Sequence, residues 1–155
     1  MYMIHEFTAK KLGEVVAFSR IGCELAERGG DAFVAALGTA AGSFQTELQA
    51  LEAAAIERGS EVTAAKAEKT TVKLRAMMEQ YIGDEWDNPV EILEWLSFFT
   101  GAGSAHWALL GGVADETGDA DLRELAKTGQ QQYHQYLHTT IESLQTAGKD
   151  RVTAA

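Results

Sequence analysis

The sequence predicts an all-α protein folded as a four-helix bundle, and three observations predict it. Proline occurs once in 155 residues, at Pro89, so little of the chain is barred from helix. The rest is rich in Ala, Leu, Glu, Lys and Gln, which cost least in a helix. Apolar residues recur at helical spacing over several long segments, and none shows the short β-branched alternation of strands. A chain of this length suits one domain with one core, here residues 1–155.

The first helix is expected over 4–28, with Ile4, Phe7, Leu12, Val15, Phe18, Gly22, Leu25 and Ala26 on one side. Gly29-Gly30 ends it, and Asp31 caps a short helix over 31–37 that stops at Gly38. Periodicity resumes over 40–58 and 60–82, out of phase. Phe44, Leu48, Leu51 and Ala55 share one face; Leu74, Met77, Met78 and Tyr81 share another, rotated by about a quarter turn. The phase changes at Gly59-Ser60, a helix breaker followed by a good N-cap, so this layer is broken or kinked there. Unbroken, it would be about 60 Å long, too long for a domain of this size.

The sequence IGDEWDNP marks a clear boundary. Asn88 is placed to N-cap, Pro89 to occupy the first helical position and Glu91 to close a capping box, for a helix over 89–116. Thr117-Gly118 ends that helix, and Asp119 caps the last, over 119–147. Its apolar arc is Leu122, Leu125, Gly129, Tyr133, Tyr136, Leu137, Thr140 and Leu144. Gly148 stops it, leaving a frayed tail over 148–155. The short link between the last two helices makes them antiparallel neighbours.

Charge narrows the function. Thirteen Lys and Arg stand against 23 Asp and Glu, a net charge of −10. So acidic a surface repels phosphate backbones, which argues against nucleic acid as a partner. The one locally basic stretch, with Lys66, Lys69, Lys73 and Arg75, reads as a solvated helix face. Cys23 is the only cysteine, so no internal disulfide or multi-cysteine metal site is possible. The start, MYMIHEFTAKK, lacks the apolar core of a secretory signal, and a reduced, cytoplasmic setting is expected.

The most unusual segment is Trp95 to Ala114, which carries no fixed charge and contains four glycines and one histidine, His106. Its acidic flanks, Glu91 and Glu94 before and Asp115 and Glu116 after, lack the basic residues of a membrane-spanning helix, so no membrane partner is expected. A helix apolar on all sides is then expected at the centre of the bundle, covered by its own helices and by a second subunit. Gly101, Ala105, Ala108 and Gly112 form a stripe of small residues that admits a close neighbour, and with Trp107 they are the candidate interface of a homodimer.

His106 is expected to be buried, with Tyr133 or Gln130 as hydrogen-bond partners if its role is structural. A sharper reading makes it an axial haem or metal ligand, with Trp95, Phe99 and Tyr133 around the cofactor. His134 and His138, four apart on one helix edge, and Glu47 are further candidate metal ligands. In architecture the chain resembles the ferritin-like superfamily. That resemblance implies four long helices and a di-iron site built from inward glutamates, for which Glu14, Glu47, Glu91 and Glu94 are available, and two Glu-x-x-His motifs. The motif is absent here: Gln131 precedes His134, Gln135 precedes His138 and Gly103 precedes His106 at the required position.

These readings rank a non-catalytic, self-associating bundle acting through protein contacts first. A ferritin-like iron or haem carrier using His106 comes second, and a small-molecule enzyme with a core site around His106 third. No catalytic residue is assigned.

Overall fold

The computed structural model describes residues 4–154. They form α1 (Glu6–Leu37), a 3-10 turn (Gly38–Ala40), α2 (Ala41–Arg58), α3 (Glu61–Ile82), α4 (Pro89–Thr117) and α5 (Ala120–Ala154). The expected all-α bundle is what the chain forms, with its second layer split into α2 and α3. No helix among the described residues is long and apolar enough to cross a membrane.

Local chemistry explains the helix ends. Gly30, at φ 50° and ψ −123°, leaves the helical region, so α1 breaks at the double glycine as expected and a second helical piece continues to Leu37. Gly118 closes α4 in the left-handed region at φ 68°. Asn88 accepts the Val90 N–H at 3.1 Å and Pro89 opens α4. Glu91 does not complete the expected capping box; it lies against Glu85 and Glu94. At the start of α3 the Thr63 hydroxyl accepts the Ser60 N–H at 3.0 Å and donates to the Ala9 carbonyl at 2.8 Å, tying α3 to α1. Asp119 caps α5 by accepting the Leu122 N–H at 3.0 Å. The expected stop at Gly148 does not occur. An exposed helical glycine costs only about 1 kcal/mol, and the good helix formers around it carry α5 through to Ala154.

The break at Gly59-Ser60 is a reversal. Cys23 meets Gln45 and Arg20 meets Glu52, so α2 runs antiparallel to α1. Gly13 lies against Thr63, Arg75 meets Glu24 and Arg28 meets Glu79, so α3 runs parallel to α1. Antiparallel α4 brings Phe99 to Phe18 and His106 to Glu14. Returning along α4, α5 places Tyr136 against Phe44 of α2, ring centroids 4.9 Å apart.

The central helix is therefore α1, in place of the expected α4. Every residue from Leu12 to Ser19 is buried, including positions outside the predicted apolar arc. Close approach makes this possible. A Cβ on Gly13 would lie 2.6 Å from the Thr63 carbonyl oxygen, and one on Gly22 would overlap Leu48 of α2 and lie 3.0 Å from Phe99 of α4. Uniform apolarity made α4 look fully enclosed, but it is covered on its inner faces only.

Between α4 and α5 the packing is reciprocal. The Tyr133 ring of α5 lies over Gly103 of α4, and the Trp107 indole of α4 lies over Gly129 of α5; a Cβ on either glycine would overlap the ring. Both rings are enclosed, with Trp107 0% and Tyr133 1% exposed, and burial pushes the Tyr133 hydroxyl well above the ordinary phenol range.

Two outcomes follow for urea unfolding midpoints. Gly103→Ala and Gly129→Ala should each lose about 1–3 kcal/mol by overpacking, despite better helix propensity. Gly101→Ala and Gly112→Ala, where a Cβ meets nothing within 4 Å, should gain up to about 1 kcal/mol. Equal effects at all four sites would contradict the reciprocal packing.

Asp119 supplies a pH-dependent stability. The Leu122 N–H first, and then Arg58, hold its carboxyl below the usual carboxylate range. Its stabilisation is therefore complete above that range and is lost as pH falls through the depressed value. Asp119→Ala should lower stability by about 1–2 kcal/mol near neutral pH, and the difference from wild type should vanish in strong acid.

Candidate functional site

The outward face of α4 is the principal candidate. The inner faces present Ile92, Leu96, Phe99, Gly103, Trp107, Leu110 and Ala114 to α1 and α5, all buried. Opposite them lie Phe98, Gly101, Ala102, Ala105, Ala108, Leu109 and Gly112, clustered on one side at 100° per residue. Phe98 is 58% and Leu109 39% exposed, and the residues between them on this face are small and uncharged. Tyr81 of α3 extends the apolar surface, its ring 5.3 Å from that of Phe98, while its hydroxyl donates to Glu94 at 3.0 Å. Of the predicted interface residues, Gly101, Ala105, Ala108 and Gly112 lie on this face. Trp107 does not, because its indole fills the space over Gly129.

His106 sits beside this face with its side chain 35% exposed, less enclosed than expected. Neither Tyr133 nor Gln130 is its partner. Nδ1 lies 2.8 Å from the Ala102 carbonyl, Nε2 lies 3.3 Å from Glu14, and the ring packs on Phe18 at 4.9 Å. Nδ1 therefore donates to the carbonyl, and Nε2 is directed at a carboxylate. Glu14, with its side chain 11% exposed, also accepts from Lys11 at 2.9 and 3.3 Å and has Lys66 of α3 at 3.9 Å. A carboxylate removed from water needs such partners, and Glu14 draws them from α1, α3 and α4 together. Lys66, read in the sequence as part of a solvated face, is one of them.

The arrangement leaves His106 without an outward-facing nitrogen. Nδ1 is committed to the Ala102 carbonyl, and a metal, haem iron or substrate reaching Nε2 would have to enter beside the Glu14 carboxylate. The cofactor candidates are taken up in core and surface packing: Phe99 lies 5.5 Å from Phe18 and 5.8 Å from Tyr133, and Trp95 lies 6.2 Å from Tyr81. Nor do the metal candidates converge. His134 is exposed, His138 pairs with Glu142 at 2.8 Å on the surface, and Glu47 accepts from Tyr136 at 2.6 Å. Among the described residues, no three His, Cys, Asp or Glu side chains are placed to hold a metal ion.

Two features escaped the sequence reading. The Glu14–His106 pair joins residues far apart in the chain, and periodicity places Glu14 only at the margin of its arc. Phe98 lies outside the stripe of Gly101, Ala105, Ala108 and Gly112, although at 100° per residue it falls within about 20° of Ala105 on the same face.

Compared with known proteins, the chain matches no protein-family model, no curated protein and no solved structure.

Cys23 carries a chemical consequence of its own. Burial first, then Glu52 and Glu27, push its thiol up to about 11. The reactive thiolate near neutral pH is then scarcer by roughly two orders of magnitude than in a free cysteine. Iodoacetamide should alkylate native protein far more slowly than urea-unfolded protein. Equal rates would mean that the fold does not shield the thiol.

Proposed function

We propose that the protein is a non-catalytic, self-associating helical bundle that works through protein contacts, with the outward face of α4 as its homodimer surface. One observation carries the reading: the order of large and small residues on that face is self-complementary about Ala105. Phe98 and Gly112 lie seven residues to either side, Gly101 and Leu109 four, and Ala102 and Ala108 three. Two copies of α4 packed antiparallel about a two-fold axis at Ala105 set each Phe98 over the partner's Gly112 and each Leu109 over the partner's Gly101. A two-fold interface requires a surface that complements itself.

Magnitudes make this a weak dimer. Fully burying a Phe or Leu side chain contributes about 1.5–3 kcal/mol, against an association cost of about 4–15 kcal/mol in lost translational and rotational freedom. Charge opposes it as well. Each copy carries −10, and Glu94 and Glu116, eleven residues to either side of Ala105, approach their counterparts at the ends of the pairing. Salt screens that repulsion.

The alternative of a ferritin-like iron or haem carrier using His106 has less support, because Nδ1 is held by the Ala102 carbonyl, Nε2 faces Glu14 inside the protein, and the other candidate ligands are scattered. The same engagement weighs against an enzyme built around His106.

Sedimentation equilibrium provides the test. The wild type should dimerise at micromolar concentration, more tightly as salt rises. Gly112→Phe should weaken the dimer at least tenfold, and adding Phe98→Gly to it should restore association by exchanging the large and small partners. A Gly112→Phe protein that dimerises like wild type, or a wild type monomeric at all concentrations, would sink the proposal.

A further inference from the structure

Both ring nitrogens of His106 face hydrogen-bond acceptors. Nδ1 lies 2.8 Å from the Ala102 carbonyl and Nε2 lies 3.3 Å from a Glu14 carboxylate oxygen. A carbonyl oxygen only accepts, and so does an ionised carboxylate. A neutral imidazole has one N–H, so whichever nitrogen carries it, the other turns a lone pair toward an acceptor. The doubly protonated ring satisfies both. Protonating Glu14 instead would leave the ammonium groups of Lys11, at 2.9 Å, and Lys66, at 3.9 Å, without the charge they face.

The groups around the ring act in opposite senses. The Ala102 carbonyl, the Glu14 carboxylate and the Phe18 ring, whose centroid lies 4.9 Å from that of the imidazole, all favour a positive charge there. Lys11 of α1 and Lys66 of α3 oppose it, because they share the same carboxylate. From Trp95 to Ala114, α4 adds no fixed charge of its own. From α5, Tyr133 packs on Phe18, ring centroids 6.5 Å apart. With the charges so opposed, one proton decides the sign of the contact: attraction with Nε2 protonated, lone pair against carboxylate without it.

We propose that His106 and Glu14 form a proton-operated latch between α4 and the central helix. With a proton on Nε2 the ring is clamped to Glu14. Without it Nε2 is repelled, and the side chain, 35% exposed, turns outward beside Ala102. The latch is closed on the acid side and opens as pH rises through about 5–8, the range in which histidines change charge. It holds the helix that carries the outward face, and it operates whether or not that face pairs with a second copy.

The test is a double-mutant cycle in the full-length protein, Glu14→Gln against His106→Ala, read from urea unfolding at about pH 5 and about pH 8 and at one protein concentration. Asp119 and the other carboxylates cancel, because they are common to all four proteins. The coupling should favour the folded state by about tenfold or more in acid. At the higher pH it should vanish or reverse, since the amide of Glu14→Gln can donate to the bare Nε2. Imidazole nitrogen NMR on the wild type needs no variant to fold. Both nitrogens should carry protons in acid, and the neutral ring should keep its proton on Nδ1, held by the Ala102 carbonyl. The latch is overturned by a coupling equal at the two pH values, by a coupling absent in acid, or by a neutral ring with its proton on Nε2.

Discussion

Enclosure of α1 is the constraint on which the rest of the structure depends. A helix buried all round must be approached from several directions at once, and side chains of ordinary size would hold its neighbours too far apart. Gly13 admits the backbone of α3, and Gly22 admits Leu48 of α2 and Phe99 of α4. Helix propensity lost at these glycines is offset by dense packing around Leu12, Val15, Phe18 and Ile21, all nearly inaccessible. Once α1 is central, the short turn at Gly59-Ser60 brings α3 back along it, and α4 and α5 must complete the enclosure.

The α4–α5 pair then settles what α4 can offer to other molecules. Tyr133 over Gly103 and Trp107 over Gly129 fix the register between the two helices and direct the large side chains of α4 inward. What remains outside is the small-residue side with Phe98 and Leu109. An exposed apolar strip is costly in water unless something covers it, and for a strongly acidic chain a charge-free strip is where a second copy meets the least repulsion.

Charge is used sparingly inside this framework. Glu14 is the buried carboxylate around which Lys11, Lys66 and His106 gather, so one residue on the central helix attracts α3 through Lys66 and meets α4 at His106. At the surface, Arg20, Arg28 and Arg75 pair with glutamates across helix boundaries. Such exposed pairs contribute little each and mainly favour one register over its neighbours.

Local chemistry made much of the fold legible in the sequence. Gly30, Gly59-Ser60, Asn88-Pro89 and Gly118-Asp119 mark boundaries because their backbone preferences and caps act within a few residues of chain. The all-α class follows from composition and period alone. Which helix is central was not legible, since α4 is apolar all round in sequence and yet half covered, while α1 carries Glu14 and lies inside. Burial depends on which backbones can approach, and that is a property of pairs of helices. The candidate site divides in the same way. Gly101, Ala105, Ala108 and Gly112 were visible as a stripe, but only packing showed that the stripe faces outward, that Trp107 does not belong to it, and that His106 turns one nitrogen to the Ala102 carbonyl and the other toward a carboxylate ninety-two residues away in the chain.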